Sequence, residues 1–297
     1  MDKVLLTGST GFVGRNIQLQ LKNNYSIIPL FKGSPISIKQ DVILHFAGKA
    51  HDLKNVSDPS EYYTVNTELT KKLIDAFLSS DAKVFITISS VKAAADTIES
   101  QLTEDYLPNP ITDYGKSKLL AEQYILSKSI PEGKRVYILR PCMIHGPSNK
   151  GNLNLLYKIV SKGFPWPLGA FENKRSFCSI DNLCFIINEL VNNDSIASGV
   201  YNVADDEPLA TNELIKLIAE SQGKKYLIWN VPKSIIKLLS KMGDFLKLPL
   251  NSERLNKLTE TYIVSNTKII TAINKPLPLS AKEGLMKTLN SFNANVK

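Results

Sequence analysis

The sequence is poor in the residues that make metal sites and disulfide frameworks. It has three cysteines (Cys142, Cys178, Cys184) and three histidines in 297 residues. No Cys-x-x-Cys and no His-x-x-x-His occurs, so no bound transition metal is expected. An odd, scattered set of cysteines forms no paired framework either, which points to a reducing, cytoplasmic setting. No apolar run reaches membrane-spanning length, so membrane insertion is not expected. The first apolar strand begins at Val4, which leaves no room for a signal peptide. Repeats and low-complexity segments are absent as well.

Acidic residues are also in short supply, 28 against 36 Lys and Arg, for a net charge of +8. That balance raises the possibility of nucleic acid, but the lysines are scattered and no basic block interleaves with aromatics. No nucleic-acid partner is expected. A solvated lysine-rich surface accounts for most of the charge, and a smaller part can attract a doubly anionic diphosphate. The stretch from Ile235 to Lys241 is amphipathic and basic. A helix packed into a smaller lobe is the expectation there, because membrane-active helices carry a longer and more segregated face.

What the chain does carry is a glycine-rich turn at its start. Val4-Leu5-Leu6-Thr7 reads as a short strand that runs straight into Gly8, Gly11 and Gly14. Val13, Ile17 and Leu21 then recur every four residues, one face of a helix. A helix N-terminus presents unpaired N–H groups and a positive dipole end, and glycine lets a phosphate approach the backbone. An ordinary tight turn would also produce glycines, but the strand–turn–helix setting predicts a dinucleotide site.

Further strands are predicted at Tyr25 to Phe31, Asp41 to Phe46, Lys83 to Ser89 and Arg135 to Leu139. Helices are predicted through Val65, Leu69, Leu73 and Phe77, and over Thr112 to Lys128. Strands alternating with helices predict an α/β chain of the Rossmann type, a doubly wound parallel sheet with helices on both faces. The alternation breaks down after Pro147, and Gly199 to Val203 reads as a returning strand. The expected division is a dinucleotide domain of residues 1–147 and 176–203, with a smaller, discontinuous lobe of residues 148–175 and 204–297. Ligands of such sheets bind beyond the carboxyl ends of the strands, which places the chemistry just after Leu6, Phe46, Ser89 and Leu139.

Tyr114 and Lys118 stand at i and i+4, on one face of the predicted helix. A phenol titrates near 10, too high for acid–base work at neutral pH. A cation about 4 Å away at an effective dielectric near 20 contributes about 4 kcal/mol, enough to lower it by roughly 3 units before desolvation. Ser89-Ser90 ends a predicted central strand, where a hydroxyl can hold a substrate oxygen whose proton Tyr114 moves. A helix-capping role is the alternative for such a serine.

With Thr7-Gly8-Ser9-Thr10-Gly11-Phe12-Val13-Gly14, Ser90, Tyr114 and Lys118 in this order, the chain resembles the extended short-chain dehydrogenase/reductases that act on nucleotide sugars. His45-Phe46-Ala47-Gly48 is similar to the family's post-strand cofactor segment, and Arg140-Pro141 followed by Gly146-Pro147 to the segment beside its nicotinamide. The resemblance implies Ser90, Tyr114 and Lys118 as catalytic residues. It implies cofactor contacts at Thr7, Gly8, Thr10, Gly11, Phe12, Val13, Gly14, Lys32, Phe46, Ala47, Gly48, Asn66, Ser89, Tyr114, Lys118, Arg140 and Pro141. Lys150-Gly151-Asn152, Pro167-Leu168-Gly169 and Asn173-Lys174-Arg175-Ser176 with Asp181-Asn182-Leu183 resemble segments that hold the nucleoside diphosphate. Ser90, Asn152, Leu168 and Arg175 are the implied substrate contacts, and a guanidinium suits a diphosphate because it donates paired hydrogen bonds.

The implied reaction is NAD(P)-dependent oxidoreduction at C4 of a nucleotide-activated hexose, a UDP-hexose or UDP-N-acetylhexosamine derivative used in surface-polysaccharide synthesis. A 4-epimerase and a 4-keto-6-deoxy-sugar reductase both fit. A non-catalytic NAD(P)-binding regulator on the same fold is the alternative of another class. A homodimer, through helices around Leu69 to Phe77 and Lys118 to Leu126, is a further implication of the resemblance.

Three departures stand out. The interval from Gly14 to His45 is short, leaving Gly33 to Gln40 room for little more than a stunted strand. Phe31-Lys32 replaces the acidic residue that binds a ribose hydroxyl, and a cation there favours a 2′-phosphate, hence NADP(H) over NAD and an exchangeable cofactor. Ala93-Ala94-Ala95 stands where relatives carry a larger turn beside the sugar.

Overall fold

The structure, a computed structural model, describes residues 2–49, 58–149, 152–246 and 251–294. The chain opens with β1 (Lys3–Thr7), α1 (Phe12–Leu21), β2 (Ser26–Leu30) and β3 (Val42–His45). A short α2 (Ser60–Tyr62) passes through a π-helical turn (Tyr63–Glu68) into α3 (Leu69–Leu78). Next come β4 (Val84–Ile88), β5 (Gln101–Leu102), α4 (Asp113–Leu126), β6 (Arg135–Pro141) and β7 (Met143–His145). The remainder is α5 (Asn152–Ser161), β8 (Phe177–Ser179), α6 (Ile180–Asn192), β9 (Gly199–Val203), α7 (Thr211–Ser221), α8 (Lys233–Leu246), α9 (Ser252–Thr259), β10 (Ile263–Val264), α10 (Thr267–Ile273) and α11 (Ala281–Ala294).

The main sheet is parallel throughout, in the order β2-β1-β3-β4-β6-β9. Its inner strands are buried on both faces, the edge strand β2 is partly exposed, and consecutive residues point to opposite faces. Val4, Leu6, Val42, Leu44, Val84, Ile86, Tyr137 and Leu139 enter one core with Ile17 and Leu21 of α1 and the apolar side of α6. Leu5, Ile43, Phe85, Val136 and Ile138 enter the other, against Leu73, Ile74 and Phe77 of α3 and Ile125 of α4. The chain runs outward from β1 to β2 and returns to β3 on the opposite side, so a crevice opens between β1 and β3 at their carboxyl ends, where such sheets take their ligands.

The short interval has a definite consequence. No strand forms between Gly33 and Gln40, and the link from β2 to β3 crosses without a helix, Ile36 and Ile38 packing on the core instead. The α6 helix was not anticipated: Asp181-Asn182-Leu183, expected near a diphosphate, is its first turn. Asn182 is buried there, donating to Asp205 and to the Leu279 carbonyl.

A third core gathers Leu153, Trp166, Leu168, Leu214, Ile236, Leu255 and Leu285 from the second half of the chain. The α8 helix packs on it along one narrow face, as expected of a helix of the smaller lobe, with only Ile236, Ser240 and Gly243 buried. Its remaining apolar side chains, Ile235, Leu238, Leu239, Met242, Phe245 and Leu246, are exposed. Packing at i, i+4 and i+7 covers one narrow stripe, and the wider apolar stripe faces away from the body of the protein. All three cysteines are free and buried, and among the described residues no cluster of metal-ligating side chains occurs.

Two local devices hold the strand ends. Gly8 has φ +71°, the left-handed region, and a Cβ on Gly14 would stand 2.2 Å from the Gly8 carbonyl oxygen. The turn is thus closed by backbone against backbone. His45, 2% exposed, ties β1, β3 and the π turn together. Thr7 Oγ1 accepts from the Ala47 N–H and donates to His45 Nδ1. Thr70 Oγ1 donates to the Asn66 carbonyl, so it accepts from His45 Nε2–H. This network needs a neutral imidazole, and burial, helped by the nearby Lys118 cation, lowers the His45 pKa to about 3.

Two outcomes follow. Gly14→Ala forces the loop apart and is expected to cost about 1–3 kcal/mol, read as a lower urea midpoint; an unchanged midpoint would show that the loop yields freely. His45 keeps its neutral form in the folded state while the unfolded chain protonates below pH 6.5. The stability it secures is therefore complete above pH 6.5 and is lost as pH falls toward about 3, by up to about 5 kcal/mol. Urea titrations across that window should show a steep pH dependence that His45→Gln flattens.

Candidate active site

The loop after β1 is shaped to receive an anion. Gly11 is the N-cap of α1 and no side chain caps that helix, so its first N–H groups face the crevice uncovered. The Ser9 carbonyl is taken by Gln18 Nε2 at 2.8 Å, which turns the loop's acceptors inward. Thr10 and Gly11 are exposed, whereas Phe12 and Val13 are half-buried and pack on the core of the sheet. At the far end of the crevice, Lys32 is exposed just beyond β2, beside the end of β1.

Phe46, Ala47 and Gly48 follow β3 and form the opposite wall. Asn66, 1% exposed on the π turn, holds this wall: its Oδ1 accepts from Lys49 N, and its Nδ2 donates to the Lys49 carbonyl and to Ser117 Oγ on α4. A Cβ on Gly48 would stand 3.0 Å from Lys118 Nζ and 3.1 Å from Asn66 Oδ1. Glycine therefore lets Lys118 and Asn66 close directly on the backbone of this wall. The uncapped helix end fits the diphosphate of a dinucleotide.

The α4 helix begins at the cap Thr112, whose Oγ1 accepts from Gly115 N, and it presents Tyr114 and Lys118 one turn apart. Ser90 lies beyond β4 and hydrogen-bonds the Tyr114 hydroxyl. The structure thus brings Ser90, Tyr114 and Lys118 together at the carboxyl edge. It also corrects the electrostatics expected of them. The Tyr114 phenol is raised above its usual value, because burial outweighs the Ser90 hydrogen bond and the Tyr62 ring, edge-on at 5.9 Å, adds to the rise. Lys118 Nζ donates to the Ile88 carbonyl at 2.9 Å, and its own pKa is lowered to about 8 by burial against the opposing pull of Glu122. At neutral pH the phenol keeps its proton and Lys118 its charge.

Glu122 was missed in the sequence. It continues the Tyr114, Lys118 series by one more turn and is 1% exposed. Its carboxylate accepts from Arg140 Nε at 3.0 and 3.1 Å, from Arg140 Nη2, and from Ser89 Oγ. Ser89 and the Arg140 guanidinium are therefore committed beneath the site rather than turned into it. A cofactor would meet this segment through its backbone and through Pro141. A small cavity lined by Asn66, Thr87, Ser89, Lys118 and Glu122 lies between these groups. The i, i+4, i+8 spacing of Tyr114, Lys118 and Glu122 was the available signal.

The sugar side is assembled from more distant pieces. Leu168 is buried in the third core. Arg175 is one-quarter exposed, donating to the Lys257 carbonyl and pairing with Glu260 at 3.4 Å, so a diphosphate would have to compete with Glu260 for it. Lys150 and Gly151 lie outside the described residues, as does the side chain of Asn152. Ala93, Ala94 and Ala95 are buried, and Tyr262 donates its hydroxyl to the Ala95 carbonyl. Lys92, in a short 3₁₀ turn (Val91–Ala93) that follows Ser90, was also missed. Its ammonium sits 4.4 Å from the centre of the Tyr262 ring, and burial lowers its pKa while Glu260 and Asp96 raise it.

The NAD dependent epimerase/dehydratase family matches residues 35–204. A UDP-glucose 4-epimerase of Vibrio cholerae is 31% identical over 97% of this chain and 95% of its own length. An N-acetyl-alpha-D-glucosaminyl-diphospho-ditrans,octacis-undecaprenol 4-epimerase of Escherichia coli O157:H7 is 27% identical over 97% and 94%. Among solved structures, RMD from Pseudomonas aeruginosa complexed with NADPH superposes with a TM-score of 0.73 at 20% identity, covering 99% of this chain and all of that one. That likeness is one of fold and covers nearly the whole chain. By its sequence and its fold, the chain belongs to the NAD dependent epimerase/dehydratase family.

Proposed function

We propose that this protein transfers hydride at C4 of a diphosphate-linked hexose, using NAD(P) and the Ser90, Tyr114 and Lys118 set, in the synthesis of a glycan precursor. The observation that carries this reading is the Tyr114 hydroxyl on Ser90, with Lys118 one turn below and close against Gly48. The Vibrio relative's UDP-glucose and the Escherichia relative's diphospho-undecaprenol sugar share a hexose carried on a diphosphate.

The nicotinamide cofactor supplies the hydride acceptor or donor. Ser90 Oγ and Tyr114 Oη together hold the C4 oxygen. In the reducing direction Tyr114 gives its proton to that oxygen as the carbon receives hydride; in the oxidising direction it takes the proton from the C4 hydroxyl. A phenol kept protonated by burial is prepared for the first of these, the 4-keto reductase. Lys118, charged below about pH 8, would stabilise the phenolate left behind and hold the ribose hydroxyls of the cofactor. The end of α1 binds the cofactor diphosphate, and Arg175 and Asn152 bind that of the substrate, placing C4 at a fixed reach from Tyr114.

Lys32 is the basis for preferring NADPH: an exposed cation beyond β2, with no acidic residue beside it to bind a 2′-hydroxyl. The division into a dinucleotide domain (1–147, 176–203) and a sugar lobe (148–175, 204–297) belongs to the same proposal. Tyr262, Val264, Ile269 and Ile273 pack back onto the sheet. A homodimer through α3 and α4 is proposed as well, with the exposed Leu120 and Leu126 as its apolar contacts.

Tyr114→Phe is expected to lower kcat by about 10²–10⁴ with little change in KM, measured on UDP-hexoses, UDP-N-acetylhexosamines and their 4-keto-6-deoxy forms. Wild-type turnover in that variant would overturn the mechanism. Lys32→Asp should shift the ratio of kcat/KM for NADPH over NADH by about tenfold toward NADH. An unchanged ratio, or one equivalent of NAD released on denaturing the purified protein, would remove the case for an exchangeable NADPH.

A further inference from the structure

The exposed side of α8 has no part in the chemistry above. Ile235, Leu238, Leu239, Met242, Phe245 and Leu246 fall at successive helical turns and form one continuous stripe. Phe245 is 87% exposed and Leu238 60%. Monomeric proteins seldom present so concentrated an apolar patch without a partner. The segment leading into the helix adds to it. Trp166 and Ile228 bridge one way, and Leu227 and Trp229, at alternate positions, are exposed.

The charge around this stripe is mainly positive. Between Gln222 and Leu246 the chain has Lys224, Lys225, Lys233, Lys237 and Lys241 against one acid, Asp244. Asp244 is exposed, and its carboxylate is engaged by the backbone N–H and hydroxyl of Ser252 at the start of α9. Neither Lys237 nor Lys241 has an ion-pair partner among the described residues. The helix has three sectors: a narrow packing face of Ile236, Ser240 and Gly243, a basic face, and a broad apolar face. That is the arrangement of a helix lying in the plane of a membrane surface, with lysines reaching anionic headgroups and a tryptophan at the boundary.

We propose that α8, with Trp229, docks this protein on an anionic membrane surface without spanning it. A lipid surface accommodates an irregular apolar ridge of any shape and supplies the negative charge that the lysines lack. A second copy bound through the same face would instead bring its own lysines against Lys237 and Lys241. The helix is anchored through Ile236 in the core that also holds Leu168, so docking fixes the sugar side of the crevice near the membrane. If the reading of that crevice is right, a hexose diphosphate carried on a membrane lipid comes within reach as substrate. The docking itself does not depend on that reading.

The test is co-sedimentation of the purified full chain with vesicles of phosphatidylcholine, with and without phosphatidylglycerol. Binding is expected to the phosphatidylglycerol vesicles alone, to weaken with salt, and to shift Trp229 emission to the blue; Trp166 is buried and stays silent. Lys237→Glu with Lys241→Glu, and separately Leu238→Ser with Phe245→Ser, should each weaken binding by more than about tenfold, with thermal unfolding unchanged. Tyr114→Phe should bind as wild type does, which separates docking from the catalytic reading. The proposal is overturned if the wild-type chain stays in the supernatant with anionic vesicles, or if the Leu238→Ser, Phe245→Ser variant binds undiminished. It is equally overturned if the face proves to be a self-contact, seen as a vesicle-independent dimer that this variant dissolves.

Discussion

The buried carboxylate of Glu122 is the point on which the site rests. It receives the Arg140 guanidinium from the end of β6 and the Ser89 hydroxyl from the end of β4, and it lies one turn below Lys118 on α4. Two charges removed from water are tolerated only where the geometry satisfies both, and removing either partner alone leaves an uncompensated charge worth about 3–5 kcal/mol. The pair therefore locks the helix that carries Tyr114 to the two strands whose ends border the crevice. It also tempers the desolvation of Lys118, whose pKa would otherwise fall further and whose charge at neutral pH the chemistry needs.

A second, uncharged network completes the positioning. His45 links Thr7 of the glycine turn to Thr70, and through Thr70 to Asn66, which in turn holds Lys49 and Ser117. The cofactor wall, the glycine loop and the catalytic helix are thus connected by hydroxyls and amides with every donor assigned. One side of the crevice is made of backbone N–H groups and a glycine turn closed backbone against backbone. The other carries long side chains that are already paired, Arg175 with Glu260 and Lys92 over Tyr262.

The α8 helix shows the same division between anchoring and contact. Three small or medium side chains hold it to the body of the protein, and six large apolar ones are left outside. Burying those six inward would require a wider packing face than Ser240 and Gly243 provide. Within the scattered net charge of +8, the segment from Gln222 to Leu246 carries five lysines against one acid, where an anionic surface would meet them.

Much of this protein could be read from local pattern. The glycine turn, the alternation of strands with helices, and the order of Ser90, Tyr114 and Lys118 are short-range features, so composition and spacing were sufficient to find them. The helix α6 was legible as well, since Ile180, Leu183, Cys184, Ile187, Leu190 and Val191 recur at helical spacing, but the likeness of its first turn to a diphosphate segment obscured it. Glu122, His45 and Lys92 became meaningful only when β3, β4, β6 and α4 converged, since a buried charge or imidazole is defined by partners far away in sequence. The direction of the Tyr114 shift was likewise beyond the sequence: Tyr-x-x-x-Lys gives proximity along a helix, whereas burial and the turn of Lys118 toward Ile88 are set by packing. The sequence by itself determined the sheet, the loop and the order of Ser90, Tyr114 and Lys118, because each is encoded within a few residues. Tertiary structure decided their protonation, their anchoring and the outward face of α8, because these depend on what is excluded from water.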